Sequence, residues 1–192
     1  MDLLLFVLHS EEAFDLQFDD ATLTKIKTVG EFIDYVYMLL PKNDSIDEPK
    51  KLSERMFNCL STHISSVIKC SLSSVTPSTP LAELFPDTAH DDKWELVRTL
   101  IGAKYWPGIK RSTRRCWFKR KAGTVDRPLC TTVMDVVSFL VARSPSLVKS
   151  DTEGWKRTEV VEVVKSLAKF TFGLPDDAVS ENVRFVEDLR LE

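Results

Sequence analysis

The stretch TVGEFIDYV at residues 28–36 combines a helix start with an amphipathic pattern. Thr28 is a predicted N-cap. Glu31, three residues later, completes a capping box, in which each side chain binds the other residue's backbone N–H. Apolar residues then follow at helical spacing as far as Pro41, where a helix is expected to stop. The stretch therefore predicts a helix with one buried face.

The same pattern occurs again 104 residues later. In TVMDVVSFL (132–140), Thr132 takes the place of Thr28. A second pair of similar stretches, SSVTPSTPLAELF (73–85) and DAVSENVRFVEDL (177–189), is separated by the same distance. Because two separate pairs share one offset, we predict two units, each ordered helix, loop, helix, linker, helix, loop. The alternative is two unrelated helical hairpins.

Helical spacing of apolar residues predicts most of the remaining chain to be helical as well. Further helices are expected over residues 3–14, 53–69, 91–105 and 157–172, and linkers over 42–52 and 144–154. The helix at 91–105 carries the apolar residues Trp94, Val97, Leu100 and Ile101. No alternating pattern typical of strands is evident, so the predicted fold is all-α.

Composition places the chain of 192 residues among globular proteins, with 43% hydrophobic residues and a net charge of −3. No apolar run approaches the roughly 18 residues that a membrane span needs. The apolar start MDLLLFVL has no basic segment before it, which favours a buried helix over a signal peptide.

Several functional classes find no support in the sequence. Four cysteines without CxxC spacing and three histidines predict no metal site, and reduced thiols indicate a cytoplasmic protein. The six glycines form no phosphate-binding loop, and no nucleophile lies in a pattern with a base. We therefore expect a protein that is not an enzyme.

The two ends of the chain resemble the two halves of an acyl carrier protein. Residues 1–36, MDLLLFVLHSEEAFDLQFDDATLTKIKTVGEFIDYV, resemble the second half, and residues 158–192, TEVVEVVKSLAKFTFGLPDDAVSENVRFVEDLRLE, resemble the first. In that family a motif of the type F-x-E-D-L-G-x-D-S-L joins the halves, and its serine carries 4′-phosphopantetheine. FVEDLRLE (185–192) is similar to this motif up to the serine, and Met1-Asp2 is similar to the residues after the serine.

The resemblance implies two small acyl-carrier-like helical bundles. One is formed in circularly permuted order by residues 1–41 and 155–192, and a divergent second one by residues 53–143. The attachment serine is expected between Glu192 and Met1, so the chain has no attachment site and no cofactor of its own. The remnant of the motif consists of Phe185, Glu187, Asp188, Leu189, Leu191, Glu192, Met1 and Asp2. Leu189 and Leu191 are expected near Leu4 and Val7.

Some positions differ from the family pattern. Arg190 replaces the glycine of the motif, and Leu5 replaces a glutamate that partner enzymes recognise in the family. In the middle of the chain the repeat places Ala89, which has no hydroxyl, at the serine position. Its neighbours His90 and Asp91 are predicted to lie in a solvated loop. Ser10 and Ser180 are too far from the motif to substitute for the missing serine.

The charges are unevenly distributed along the chain. Residues 1–54 have a net charge of −7 and residues 151–192 a net charge of −4. The resemblance implies an acidic docking face at Asp2, Glu11 and Glu12, since carriers dock on basic patches of their enzymes. The stretch KRSTRRCWFKRK (110–121) is instead strongly basic. Its positive residues are Lys110, Arg111, Arg114, Arg115, Lys119, Arg120 and Lys121.

Three interpretations of the basic stretch remain open: a solvated loop, a docking patch for an acidic carrier, or a site for nucleic acid or anionic lipid. The first hypothesis for the whole chain is an acyl-carrier-like protein of fatty acid, lipid or polyketide metabolism without its own phosphopantetheine. The alternative is a non-enzymatic scaffold that binds acyl carriers or their enzymes. A fragment of a longer carrier array and a domain-swapped homodimer are also possible.

Overall fold

The structure, a computed structural model, describes residues 2–43, 51–111, 128–150, 152–174, 178–185 and 187, and in these ranges the fold is all-α. The helices are α1 (Asp2–Phe14), α2 (Asp20–Leu23), α3 (Val29–Leu39), α4 (Leu52–Ile68), α5 (Leu81–Leu84), α6 (Asp91–Ile101), α7 (Val133–Arg143) and α8 (Arg157–Phe172). Short 3₁₀ helices lie at Leu72–Ser74, Thr88–His90 and Pro145–Leu147. None of the described helices is both long and apolar enough to cross a membrane.

The chain divides into two compact units. The terminal unit comprises Met1–Met56 and Ser138–Glu192, and the middle unit comprises Phe57–Val137. Both ranges that the sequence predicts as linkers, 42–52 and 144–154, fall within the terminal unit. The carrier-like character of either unit stays a prediction.

Most predicted helices are present, and the differences have local causes. The helix α6 ends at Ile101, short of the predicted residue 105, because Gly102 adopts the left-handed conformation with φ 78° and closes the last turn. Of the apolar residues on this helix, Trp94 and Val97 are buried, whereas Leu100 is 49% exposed. At about 100° per residue, it lies about 120° around the helix from the buried Trp94.

Three further elements, one helix and two strands, lie in segments that the sequence pattern did not predict. The helix α2 lies between the predicted helix 3–14 and the one that begins after Thr28, and the Asp19 carboxylate caps it by accepting the Thr22 backbone N–H at 2.8 Å. Strands β1 (Gly108–Ile109) and β2 (Leu129–Cys130) pair in parallel in the middle unit. Two residues per strand are too few to produce an alternating pattern.

The core of the terminal unit is built from both ends of the chain. Helices α1 and α3 pack against α8. The buried side chains include Phe6 and Phe32 from the N-terminal segment and Val163, Val164 and Leu167 from α8. Burying one such side chain contributes about 1.5–3 kcal/mol. The two segments therefore depend on each other for their burial.

A buried ion pair lies at the start of α8. Lys149 Nζ and Glu159 Oε2 are 2.8 Å apart, with side chains only 3% and 4% exposed. Lys149 also donates to the Gly154 carbonyl at 3.0 Å and lies over the Trp155 ring at 4.8 Å. Glu159 Oε2 in turn accepts the Lys156 backbone N–H at 3.0 Å. Removing one member of such a buried pair costs about 3–5 kcal/mol.

Both units contain the same helix cap, 104 residues apart. In the terminal unit the Glu31 backbone N–H donates to Thr28 Oγ1 at 3.1 Å, and Glu31 Oε2 accepts the Thr28 N–H at 3.1 Å. In the middle unit the Asp135 N–H donates to Thr132 Oγ1 at 3.2 Å, and Asp135 Oδ2 accepts the Thr132 N–H at 3.0 Å. The capped helices, α3 and α7, are therefore anchored in the same way.

A set of backbone contacts between a loop and the capped helix also recurs at this offset. The isolated bridge between Thr28 and Arg184 corresponds to the bridge between Thr132 and Pro80. Three backbone hydrogen bonds of the terminal unit also have counterparts in the middle unit. The bond from Val29 N to Val183 O (3.0 Å) corresponds to the one from Val133 N to Thr79 O (3.1 Å), and the bond from Gly30 N to Glu181 O (2.8 Å) corresponds to the one from Met134 N to Pro77 O (2.9 Å). The bond from Phe185 N to Lys27 O (3.0 Å) corresponds to the one from Leu81 N to Thr131 O (2.9 Å).

The order of these paired segments differs between the units. In the middle unit the loop residue Pro80 precedes the cap residue Thr132, whereas in the terminal unit Arg184 follows Thr28. The helices before the two loops, α4 and α8, also end alike, in the left-handed residues Lys69 (φ 57°) and Gly173 (φ 67°), again 104 residues apart. The two units thus share local contacts in circularly permuted order.

Thr28→Ala should lower the melting temperature by about 2–4 °C, because the loss of an N-cap costs about 1 kcal/mol. Hydrogen exchange should become faster in the first turn of α3. A matched control is Thr62→Ala, which removes an exposed threonine within α4. It should leave stability unchanged or slightly raised, because alanine is the better helix former. Equal effects of both variants would contradict the capping role.

Candidate functional site

The terminal unit contains an apolar cleft that is open to solvent. Its cavity volume is about 40 Å³, and this space continues into open solvent. Among the described residues, the side chains that line it are all apolar: Leu3, Phe6 and Val7 on α1, Leu23 on α2, Ile26 in the following loop, Phe32 on α3, and Phe185. The cleft therefore lies where the N-terminal segment meets the C-terminal loop.

Three aromatic rings form the floor of the cleft. The ring centroid of Phe6 lies 5.1 Å from that of Phe32 and 5.6 Å from that of Phe185. Phe32 and Phe185 are 6.2 Å apart, edge to face. These separations are typical of favourable aromatic pairs. All three residues are buried, whereas the other four lining residues are half-buried and form the rim.

The backbone places Phe185 at the floor. Its N–H donates to the Lys27 carbonyl at 3.0 Å, next to the bridge between Thr28 and Arg184. Nearby, the loop passes so close to α3 that a Cβ on Gly30 would lie 2.9 Å from the Glu181 carbonyl oxygen. A side chain at position 30 would therefore force the loop at Glu181 to shift.

An arginine holds the same loop from the other side. Arg157, at the start of α8, lies 2.6 Å from Glu181 Oε2 and 2.8 Å from Asp34 Oδ1. The hydrogen bond from Arg157 lowers the pKa of the Glu181 carboxyl below its ordinary value, and the same contacts raise the pKa of Arg157. The loop is therefore held to α8 and α3 by charged groups.

Exposed leucines lie on α1 beside the cleft. Leu4 is 67% exposed, and Leu5 and Leu8 are also exposed. Leu4 and Leu8 are four residues apart and so share one side of the helix. On the same helix, burial lowers the pKa of His9, with Arg143 as the second cause. The helix thus presents an apolar surface to solvent next to the apolar lining residues.

Only part of the predicted motif remnant lies in the described residues. Phe185 is buried at the cleft floor, and Glu187 is exposed and pairs with Arg184. The backbone of Asp2 begins α1. Met1, Asp188, Leu189, Leu191 and Glu192 lie outside the described residues, as does the expected contact of Leu189 and Leu191 with Leu4 and Val7.

The predicted acidic docking residues make contacts within the terminal unit. Glu11 Oε1 accepts the Phe18 backbone N–H at 2.8 Å, and Glu12 lies 2.8 Å from Arg143. Ser10 is fully buried, and its hydroxyl donates to the Phe6 carbonyl at 2.8 Å. An acidic docking face stays a prediction, and Ser10 is inaccessible for modification.

Two residues of the predicted basic patch are described, and both lie beside β1. The Lys110 N–H donates to the Cys130 carbonyl at 2.8 Å, and the Arg111 guanidinium lies 2.6 Å from Asp91. The others, Arg114, Arg115, Lys119, Arg120 and Lys121, lie outside the described residues. The pairing of β1 with β2 brings together the two ends of the segment that contains them.

The predicted serine position of the middle unit is part of a 3₁₀ helix. Ala89 lies in the helix Thr88–His90, and His90 Nδ1 is 2.6 Å from Asp87 Oδ1. This pair is partly exposed and stabilises the turn before α6. In the part of the chain that the structure describes, no group of three or more metal-ligating side chains occurs.

The comparisons with known proteins identify no relative. The chain matches no family model, no curated protein and no solved structure. The resemblance of the terminal segments to acyl carrier proteins therefore stays a prediction from the sequence.

Glu181→Gln should loosen the loop that carries Phe185, because it removes one of the two charged partners of Arg157. Since the pKa of Glu181 is lowered in the folded state, its carboxylate stabilises the fold above its unfolded pKa of about 4.3. This contribution is lost as the pH falls through the lower folded value. At pH 7 the variant should therefore melt below the wild type, and the difference should vanish in strong acid.

The readouts are thermal melting across pH and hydrogen exchange of residues 178–185. Glu83→Gln is the matched control, since Glu83 is an exposed carboxylate in the middle unit. It should show no comparable pH-dependent difference. A difference for Glu181→Gln that is as large in strong acid as at pH 7 would contradict the ion-pair explanation.

Proposed function

We propose that the chain is an acyl-carrier-like protein of fatty acid, lipid or polyketide metabolism, whose terminal unit holds an acyl chain in the apolar cleft. The observation that supports this proposal is the lining of the cleft: all seven of its side chains in the described part of the chain are apolar. Such a cleft favours hydrocarbon and disfavours any charged or hydrogen-bonding group.

The chemistry of the cleft defines the ligand. Each methylene group removed from water contributes about 0.8 kcal/mol, so an alkyl chain gains affinity as it fills the cleft. A polar head group loses affinity there and therefore stays at the open side. The rim of the cleft is placed to contact the part of the alkyl chain nearest its polar head group. This rim consists of the half-buried residues Leu3, Val7, Leu23 and Ile26.

The arrangement of the chain ends supports the carrier interpretation. Phe185 begins the stretch that resembles the carrier motif, and Phe6 lies on the helix that resembles the segment after the serine. Their rings are 5.6 Å apart in the floor of the cleft. The permuted set of contacts shared by the two units is also what two related carrier-like units would contain.

We propose that the acyl chain reaches the cleft without a phosphopantetheine attached to these 192 residues. Ser10 is fully buried, and Ser180 is exposed but precedes the motif-like stretch that begins at Phe185. The ligand is then a free acid or an acyl thioester carried by another molecule. The terminal unit acts as a holder of the alkyl chain.

Ile26→Asp should weaken the binding of decanoate at least tenfold, because it places a carboxylate at the rim of the apolar cleft. Isothermal titration calorimetry measures the dissociation constant for wild type and variant. Leu39→Asp is the matched control, since Leu39 is an exposed leucine on α3 that does not line the cleft. It should bind decanoate as the wild type does. Wild-type affinity in Ile26→Asp would exclude the cleft as the site.

Covalent attachment of phosphopantetheine to the chain, the alternative to binding without attachment, is tested on the same protein samples. After incubation with a phosphopantetheinyl transferase and coenzyme A, the intact mass of the chain should be unchanged. A gain of one phosphopantetheine would contradict binding without attachment.

A second candidate function, a scaffold that docks acidic carriers, is favoured by the segment between α6 and α7. Leu16 and Ala103 occupy equivalent places: the first follows the left-handed Asp15 and the second the left-handed Gly102. Each donates its N–H to the carbonyl five residues earlier, at 3.0 and 3.2 Å.

The segment that joins this position to the N-cap differs in length between the two units. It is 11 positions long in the terminal unit, from Leu16 to Lys27, and 28 positions long in the middle unit, from Ala103 to Thr131. This longer segment of the middle unit contains the whole basic stretch 110–121, and β1 and β2 pair on either side of that stretch. A stretch of one charge sign is suited to electrostatic docking of an acidic partner.

Replacing Arg114 and Arg115 together by Glu should abolish salt-sensitive binding to a purified acyl carrier protein, because the charge of the stretch falls by four. Surface plasmon resonance at low and physiological salt measures the binding. The control replaces Lys25 and Lys93, which are exposed and outside the stretch, by Glu. It makes the same change in net charge and should retain most of the binding. Unchanged binding after the arginine replacement would remove the docking role.

A further inference from the structure

We infer that Phe6 sets the depth of the cleft and thereby the length of alkyl chain that the terminal unit accepts. This inference rests on the proposed function, since it concerns the ligand of the same cleft. It assigns the selection of ligand length to one side chain.

Phe6 contacts both the cleft and the aromatic ring of Phe172. Phe6 lines the cleft and is fully buried. Its ring centroid also lies 5.3 Å from that of Phe172, on α8. Phe172 is not among the side chains that line the cleft in the described part of the chain. A ligand that advances along the cleft therefore meets the Phe6 ring before it can reach α8.

The other two floor residues are less suited to this role. The Phe185 backbone is fixed by its hydrogen bond to Lys27, and its ring lies against Phe6 and Phe32 within the floor. Phe32 is backed by Phe18, whose centroid lies 5.5 Å away, on the side of the loop before α2. Phe6 alone among the three has a described ring contact with α8.

The four rim residues are half-buried and cannot determine depth. Leu3, Val7, Leu23 and Ile26 lie at the open side, so they contact a ligand of any length. Replacing one of them should change the affinity for every ligand by a similar factor. Replacing Phe6 should instead change the length at which affinity stops increasing. This difference separates a length-determining residue from a general contact.

The expected dependence on length follows from burial. Each methylene that enters the cleft should lower the dissociation constant about fourfold, because burying one CH₂ group contributes about 0.8 kcal/mol. Methylenes beyond the Phe6 ring stay in water and add nothing. Removing the ring opens apolar space toward Phe172, and such space stays dry and accepts hydrocarbon.

The experiment titrates the wild type and Phe6→Leu with the unbranched carboxylates from hexanoate to tetradecanoate, by calorimetry. In the wild type, affinity should increase with length and then reach a plateau. In Phe6→Leu the plateau should move to a ligand longer by two or more methylenes, so that the longer acids bind more than tenfold more tightly than to the wild type. Phe6→Ala should move it further.

Phe14→Leu is the matched control. Phe14 is also a buried phenylalanine on α1, but its ring packs against Trp155 at 5.1 Å and does not line the cleft. This variant loses similar apolar volume and should keep the wild-type plateau. Circular dichroism melting of every variant checks that it is folded at the titration temperature, and Phe6→Leu keeps the test usable if Phe6→Ala unfolds.

The source of the alkyl chain is tested with acyl-coenzyme A thioesters of the same lengths. Both head groups stay outside the cleft, so the two series should reach their plateaus at the same chain length. If affinity stopped increasing at a different chain length for the carboxylates than for the thioesters, the role of Phe6 would be overturned.

The remaining outcomes separate this inference from the proposed function. An unchanged plateau in folded Phe6→Leu, with normal binding of short acids, would overturn the inference and leave the proposed function standing. A plateau that moves equally in Phe14→Leu would also overturn it. No binding of any acid or thioester to the wild type would overturn the proposed function itself.

Discussion

The packing of Phe6 against both the C-terminal loop and α8 is the interaction on which the terminal unit depends. Its ring lies within 5.6 Å of the rings of Phe185 and Phe172, which belong to the other end of the chain. Neither end contains enough apolar residues to bury its own helical face. The hydrophobic effect therefore favours closure of the two ends on each other, and this closure creates the cleft.

Polar contacts determine how the C-terminal loop is aligned against the N-terminal helices. Arg157 joins Asp34 and Glu181, and the bridge between Thr28 and Arg184 aligns the loop with the start of α3. Burial alone is non-directional, so it does not specify which residue of the loop reaches the floor of the cleft. Directional hydrogen bonds do so, and they place Phe185 there. Affinity for an alkyl chain would thus depend on residues that never touch it.

The two candidate functions belong to different units and do not exclude each other. The cleft is a property of the terminal unit, where the closure of the chain ends supplies its apolar walls. The basic stretch belongs to the middle unit, which shares the cap and loop contacts of its counterpart. A protein that holds an acyl chain in one unit and contacts an acidic partner through the other would combine both.

The sequence by itself determined the local features: the bounds of α8, the capping box at Thr28, the capped helix start at Thr132, the offset of 104 residues and the all-α class. These features depend on residues within a few positions of each other, so their pattern can be read along the chain. Only the tertiary structure decided which residues form the cleft, that Leu100 is exposed, and that Arg157 meets Asp34. These contacts join segments more than 100 residues apart or depend on which helix face finds a partner, and no local pattern encodes either.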